Sequence, residues 1–361
     1  MSRRIVMVIG TASLGGAEGQ MTRLAVELAQ RGVDVRMAFL NRGGPLTAQL
    51  DAAGVWWRLM GTPWLPSSTL RRIVALVRLT FLLLRTRPDV VVAWLPGAIM
   101  PTLPLARVFA PRARRIAGLR GTIFDEEFRL TAPLLRSAMR RAHVVTVNSA
   151  ALTELATRWG AVADRVRLLV NGVTPPVERA HPGTEPPTAV VVANYRWYKG
   201  HDTLLKALST VRSPLQVRLC GDGDRSTVER EVAELGLGDR VHLVDTPADV
   251  ARELAAAQLA IHPSNLEGMS NAILEQVATG LPIVATDVGA TRLMVLDGVN
   301  GFVVAPGDPD AMSEAIDRLA SDAALRTRMG AESIRVSEQY LWPACVTAYQ
   351  DLFDEVTGGR R

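Results

Sequence analysis

The sequence predicts an α/β protein of two Rossmann-like, doubly wound domains facing a central cleft, on three observations. Its 361 residues exceed one ordinary core and suit two domains of about 150–200 residues each. Strand-like apolar runs alternate with segments of helical period, and the alternation runs twice. Between the two series, residues 174–187 carry Pro175, Pro176, Pro182, Pro186 and Pro187, the composition of an interdomain linker.

The first series opens with a strand at Ile5–Ile9 and a helix at Glu18–Arg31, then Asp34–Leu40 and Pro45–Ala53. Strands follow at Val90–Trp94, Ala113–Leu119 and Val144–Asn148, the last leading into a helix at Ala150–Trp159. The second series pairs Ala189–Asn194 with Thr203–Ser209, Gln216–Cys220 with Thr227–Leu235, and Val241–Val244 with Val250–Ala257. It continues through Leu259–His262 and Asn271–Thr279, Ile283–Thr286, and Phe302–Val304 with Pro309–Ala320. Such alternation implies parallel sheets covered by helices, which receive ligands at the carboxyl ends of their strands. A last helix near residues 342–356 follows a sheet that is already complete, and Pro343 suits its start.

Apolar residues make up 48% of the chain and charged residues 21%, a balance that excludes a disordered chain. No hydrophobic signal region precedes the first strand. The longest apolar stretch, Ile73–Leu84, is interrupted by Arg78 and falls short of the roughly 20 residues that span a bilayer. Cys220 and Cys345 stand far apart without redox or metal-ligand spacing and read as reduced thiols. A cytoplasmic protein is expected. Charge is unevenly spread: residues 1–178 hold 24 Arg against 11 Asp and Glu, net +13, whereas residues 179–361 hold 17 Lys and Arg against 25 Asp and Glu, net −8. A basic half suits nucleic acid, anionic lipid or a phosphorylated substrate alike. Within it, Arg71, Arg72, Arg85 and Arg87 flank an apolar helix-like segment, and Arg107, Arg112, Arg114 and Arg115 follow. That pattern fits a helix lying on an anionic bilayer, or a core helix with solvated ends.

The most informative stretch follows the strand that ends at His262. A loop carries Glu267 and Gly268, and a helix starts near Ser270 or Asn271, both good capping residues. Its amino end would hold a phosphate on free N–H groups and the helix dipole, and Gly268 lets that group come close. Glu267 before the helix and Glu275 inside it flank the anion site, so one can reach a sugar hydroxyl and the other a ribose. Glu275 has Ala272, Ile273, Leu274, Val277 and Ala278 around it; a carboxylate buried among them needs a partner, which a ligand hydroxyl would supply. Near the start, Gly15 and Gly16 lie between a strand and a helix, as in a phosphate loop or a plain tight turn.

These residues resemble glycosyltransferase family 4, retaining enzymes of the two-Rossmann GT-B fold that use nucleotide sugars. The family hallmark is two glutamates separated by seven residues, here Glu267 and Glu275. The resemblance implies that Glu267 contacts the donor sugar, that Glu275 bonds the ribose, and that Gly268, Met269, Ser270 and Asn271 hold sugar and phosphate. It further implies that Arg196 and Lys199 neutralise the leaving diphosphate, stabilising charge that builds as the sugar–phosphate bond breaks. Their separation of three residues is shorter than the family's. Gly15 and Gly16 match the family's opening, and Val244, Asp245 and Thr246 fall on its base-recognition loop. Where many relatives carry a His near the donor sugar, residues 116–122 offer Arg120, an acceptor-side or sugar contact.

The domains expected are 1–174, joined by a C-terminal helix at 345–361, and 175–344. No cofactor and no metal are expected: Asp222 and Asp224 mimic a metal motif of another glycosyltransferase architecture, but lie in a strand-to-helix turn. The expected partners are a nucleotide sugar and an acceptor glycan, lipid-linked or small molecule, with an anionic membrane surface as a further one and nucleic acid excluded. Donor base, sugar and acceptor stay open, and an inactive nucleotide-sugar-binding relative is the alternative.

Overall fold

The first strand, β1 (Arg4–Thr11), buries five consecutive residues from Ile5 to Ile9, which requires helices on both of its faces. The computed structural model describes residues 3–62, 67–121, 131–180, 185–245 and 250–358, and the chain divides into two units. One comprises Met1–Gly172 and Trp342–Arg361, the other Val173–Leu341.

In the first unit β1 is followed by α1 (Gly16–Gln30), β2 (Asp34–Arg42), α2 (Thr47–Ala52), β3 (Trp56–Leu59), α3 (Ser68–Thr86) and β4 (Val90–Trp94). Then come α4 (Pro96–Phe109), β5 (Arg114–Gly118), α5 (Ala132–Arg141), β6 (Val144–Val147), α6 (Ala150–Arg158) and β7 (Val166–Leu168). The strands pair in parallel in the order β3-β2-β1-β4-β5-β6-β7. Side chains alternate across the sheet: Val6 and Val8 pack with α3, α4 and α5, while Ile5, Met7 and Ile9 pack under α1 and the last helix.

The second unit runs β8 (Thr188–Val192), α7 (His201–Thr210), β9 (Gln216–Gly221), α8 (Ser226–Glu234), β10 (Val241–Asp245), α9 (Val250–Ala256), β11 (Leu259–His262) and α10 (Asn271–Thr279). It closes with β12 (Ile283–Thr286), α11 (Thr291–Met294), β13 (Gly301–Val304), α12 (Pro309–Ser321) and α13 (Ala323–Ser337). Its parallel order is β10-β9-β8-β11-β12-β13. In both sheets the order reverses beside the first strand, between β1 and β4 and between β8 and β11. Loops leaving two such neighbours diverge to opposite faces and open a crevice at the strands' carboxyl ends.

The last helix, α14 (Trp342–Thr357), belongs to the first unit. Gly172 makes room for it, since a Cβ there would lie 2.6 Å from the Trp342 ring. Cys345, Val346, Leu352 and Phe353 are buried in the first unit's core, each of the larger aliphatic and aromatic ones contributing roughly 1.5–3 kcal/mol. Tyr349 lies deep among them, and burial pushes its hydroxyl up to about 12, so it meets Arg120 as a neutral oxygen. The Arg120 guanidinium is buried, donates to Tyr349 Oη and, at 3.1 Å, to the Leu119 carbonyl, and stands 4.5 Å over the Trp94 ring. This corrects the expectation of a ligand contact at Arg120: its charge is spent inside the core.

The unit boundary falls at Gly172, and two described residues of the proline-rich segment beyond it are tied down. Ala180 N–H donates to the Thr279 carbonyl at 2.9 Å, and Glu185 pairs with the buried Arg326 guanidinium at 2.6 Å, both within the second unit. Tyr349→Phe is predicted to lower stability by about 1.5–3 kcal/mol, the usual worth of a hydrogen bond to a charged group. Urea denaturation followed by tryptophan fluorescence checks this, and an unchanged midpoint with an unchanged slope would contradict it.

Candidate functional site

The second unit's crevice is built by the loops after β8 and β11, the two strands flanking the reversal. After β11 the chain reaches α10, whose amino end Ser270 caps: its hydroxyl accepts from Ile273 N–H at 3.4 Å. Gly280, at φ +90°, closes the helix in the left-handed conformation. The dipole of α10 therefore presents its positive end at the carboxyl edge of the sheet.

Glu267 sits just before that end with a side chain only 10% exposed. Its Oε1 accepts three hydrogen bonds, from Lys199 Nζ at 2.5 Å, Ser264 Oγ at 2.9 Å and His262 Nε2 at 3.2 Å. An ionised carboxylate only accepts, so the His262 ring carries its proton on Nε2; Nδ1 is buried without a partner. Burial alone would raise the Glu267 carboxyl, but the hydrogen bonds from His262 and Lys199 and the Lys199 charge outweigh it and hold the group down at about 2. All three bonds fall on one oxygen, and among the described residues Oε2 accepts none.

Two close backbone approaches fix this cluster. A Cβ on Gly200 would lie 2.0 Å from the Pro263 carbonyl oxygen, and Asn265 N–H donates to the Tyr198 carbonyl at 2.8 Å, so the two loops are locked together. On the other side a Cβ on Gly289, φ +57°, would lie 2.2 Å from the Gly268 carbonyl oxygen, which accepts from Ala290 N–H at 2.8 Å. Beneath, the buried Thr286 hydroxyl donates to the Ser264 carbonyl at 2.5 Å. His201, in the first turn of α7, is pushed down to about 4 by burial and by the Lys199 charge, so it is neutral at pH 7.

The structure thus brings Lys199, Glu267, Gly268, Met269, Ser270 and Asn271 to one place. It does not bring Arg196 there: that side chain is exposed and makes no bond to the cluster among the described residues. Lys199, expected on a diphosphate, is engaged with Glu267 as well. Glu275 is a correction. Its sequence neighbours are apolar, yet its own position on α10 is exposed. Crowding by protein pushes its carboxyl up to about 7, but hydration of an exposed carboxylate offsets much of such a shift.

In the first unit Gly15 precedes α1 and Gly16 begins it, where the Glu18 carboxylate already lies: a Cβ on Gly15 would be 2.3 Å from Glu18 Oε2. A local carboxylate therefore explains the bare backbone at Gly15. Val244 and Asp245 end β10, and Thr246 lies outside the described residues. Asp222 and Asp224 are occupied by backbone, accepting from Gly223 N–H at 2.8 Å and Ser226 N–H at 3.0 Å. A cavity of about 580 Å³ opens beside this turn, lined by Tyr195, Asp222, Arg225 and Glu229 among others, a size that suits a small ligand.

Sequence reasoning missed His262, Ser264 and Thr286. A histidine closing an otherwise apolar strand directly before the Glu267 loop was the available signal for the first; nothing local marked the other two.

A model described as Glycosyltransferase Family 4 matches residues 14–175, and one described as Glycosyl transferases group 1 matches residues 186–322. The chain is 27% identical over 328 residues to the lipopolysaccharide core biosynthesis glycosyltransferase LpsE of Rhizobium meliloti, covering 87% of this chain and 88% of that one. It is 32% identical over 234 residues to a D-inositol 3-phosphate glycosyltransferase of Xylanimonas cellulosilytica, covering 57% of this chain and 55% of that one. Anabaena HepE, solved in complex with UDP, matches in fold with a TM-score of 0.83 at 19% identity, covering 98% of this chain and 100% of that one.

Because Glu267 is held below its ordinary value of 4.5, its contribution to stability is fully present above that value and is lost as pH falls toward 2. The stability difference between wild type and Glu267→Gln should be flat from pH about 7 to 5 and shrink only below about 4.5. A difference that already fades between pH about 7 and 5 would contradict the assigned hydrogen bonds.

Proposed function

We propose, for a chain that belongs to the GT-B glycosyltransferase superfamily, that it transfers a sugar from a nucleotide diphosphate donor to an acceptor hydroxyl with retention of configuration. The observation that carries this reading is the Glu267 carboxylate, fixed through Oε1 by Lys199, Ser264 and His262 at the capped amino end of α10. Oε2 accepts from a hydroxyl of the transferred sugar. The diphosphate lies on the amino end of α10 beside Gly268, Met269, Ser270 and Asn271, where N–H groups and the dipole favour negative charge. Lys199 bridges the two, one donor on Glu267 and others toward the phosphate. Glu275 bonds the ribose, and the base lies toward the Asp222 turn, with Val244, Asp245 and Thr246 beyond it.

Transfer then proceeds from the face the leaving group departs. The bond from the anomeric carbon to the phosphate oxygen breaks, the acceptor oxygen bonds to the same face of that carbon, and the departing phosphate takes the acceptor's proton. The Lys199 charge and the α10 dipole are in place before the step, so they stabilise the developing phosphate charge without reorganising. No metal and no cofactor enter this scheme. The acceptor we assign is a lipid-linked or polyprenyl-linked glycan at the cytoplasmic membrane face; its support is the basic first half of the chain and the likeness to a lipopolysaccharide core enzyme. Transfer to a soluble acceptor but to no lipid-linked one would reassign the acceptor and leave the donor chemistry standing.

Lys199→Ala is predicted to lower kcat/KM by roughly 100-fold, about 2.7 kcal/mol in the transition state. Activity within about threefold of wild type would remove Lys199 from the reaction. Glu275→Ala should weaken nucleoside diphosphate binding and turnover together, whereas Glu267→Ala should chiefly lower turnover, because the ribose is present in product and donor alike and the sugar is not. Calorimetric titration with UDP, beside an assay with UDP-sugars, checks both; equal UDP affinity in wild type and Glu275→Ala would overturn the ribose contact.

A further inference from the structure

Helix α3 is apolar on two opposite faces. Ala75, Leu79, Leu82 and Leu83 point into the first unit's core, while Ile73, Val77, Phe81 and Leu84 point outward with 48–67% of their surface exposed. A helix needs only one apolar stripe to pack on a sheet, so the second stripe has no role in the fold. Its spacing of three and four residues makes it continuous along the helix. Arg71 and Arg85, both exposed, stand along its edge; Arg78, seven residues from each, lies on the same edge but donates to the Met60 carbonyl at 3.3 Å.

The neighbours extend the pattern. Helices α3, α4 and α5 lie side by side on one face of the sheet, and none of the three contains an Asp or Glu. Val108 on α4 and Leu134 on α5 are exposed at 66% and 65%, with Arg107 beside the first and Arg136 and Arg140 after the second. Arg115, from the basic cluster of the sequence, turns inward instead: its guanidinium donates to the Ala113 carbonyl and is partly desolvated.

The geometry points to the α3–α4–α5 face as a docking surface for an anionic lipid bilayer, an inference that rests on the lipid-linked acceptor proposed above and gives it a place on the molecule. Among the described residues no helix is long and apolar enough to cross a membrane; α3 would lie in the interface, its outer stripe among the acyl chains and its arginines at the headgroups. Charge decides against a second copy as occupant, because two such faces brought together would oppose arginine to arginine with no acid between them. A surface of anionic headgroups matches the face in sign and in extent.

Cosedimentation of the full chain with vesicles of phosphatidylcholine, alone or mixed with phosphatidylglycerol, tests this. Wild type should bind only the mixed vesicles, and binding should fall as salt rises from about 0.1 to about 1 M and the Debye length shrinks from about 10 to about 3 Å. Val77→Asp/Phe81→Asp, at exposed positions, should weaken that binding about tenfold or more while UDP affinity and thermal midpoint stay at wild-type values. Val299→Asp, an exposed apolar position of the second unit, should change nothing. Absence of binding to the mixed vesicles, equal binding to neutral ones, or wild-type binding by the double variant would overturn the inference. So would self-association that the double variant abolishes in a protein that ignores vesicles. Vesicle binding by a protein that binds no nucleotide would leave the surface standing and sink glycosyl transfer; the reverse result would do the opposite.

Discussion

A carboxylate as enclosed as Glu267 stays ionised only while its charge is answered, because removing one partner of a buried pair typically costs about 3–5 kcal/mol. Three donors on one oxygen answer it, and each comes from a different constraint of the fold. His262 is the last residue of β11, Ser264 is held by Thr286 at the end of β12, and Lys199 arrives from the loop after β8. Since β8 and β11 are neighbours only because the sheet order reverses between them, the ion pair depends on the topology of the whole unit. The glycines serve the same end: Gly200 lets the Lys199 loop touch Pro263, and Gly289 lets the next loop touch Gly268.

That arrangement leaves a division of labour within one carboxylate and one ammonium. Oε1 is committed to structure and Oε2 is available; Lys199 has one donor committed and two more to offer. A group that is both held and charged before a ligand arrives is preorganised in the sense that matters for stabilising a transition state. The first unit shows the contrary use of charge. Arg120 has its guanidinium over Trp94 and on Tyr349, fastening α14 to the sheet, and it faces no carboxylate among its bonded partners.

Much of this was legible in the sequence, and the reasons for what was not are physical. The two alternations, the cap at Ser270 and the Glu267–Gly268 turn are local, so period and residue type reveal them. The Lys199–Glu267 contact joins residues 68 apart, and only the strand order brings them together. Helix α4 contains Pro101 and Pro104, residues that ordinarily interrupt a helix, so local residue type does not reveal it. Arg120 was misread because a position near a strand's carboxyl end does not say whether a side chain enters the crevice or slides beneath a helix added from the far end of the chain. Glu275 was misread by its neighbours in sequence, since one exposed position per turn is enough to carry a charge on an otherwise buried helix. Segment 71–87 was left between a bilayer helix and a core helix, and α3 has a face for each.

The proposed reaction uses Lys199 and Glu267 as one unit, and a double-mutant cycle on kcat/KM with Lys199→Ala and Glu267→Gln tests this most directly. Residues in contact couple by about 0.5–3 kcal/mol, whereas independent ones add. A double variant scarcely worse than the poorer single one is expected, because each substitution already dismantles the same pair. Losses that multiply, with a coupling energy of about zero, would show that the two residues contribute separately and that their contact is incidental to the reaction.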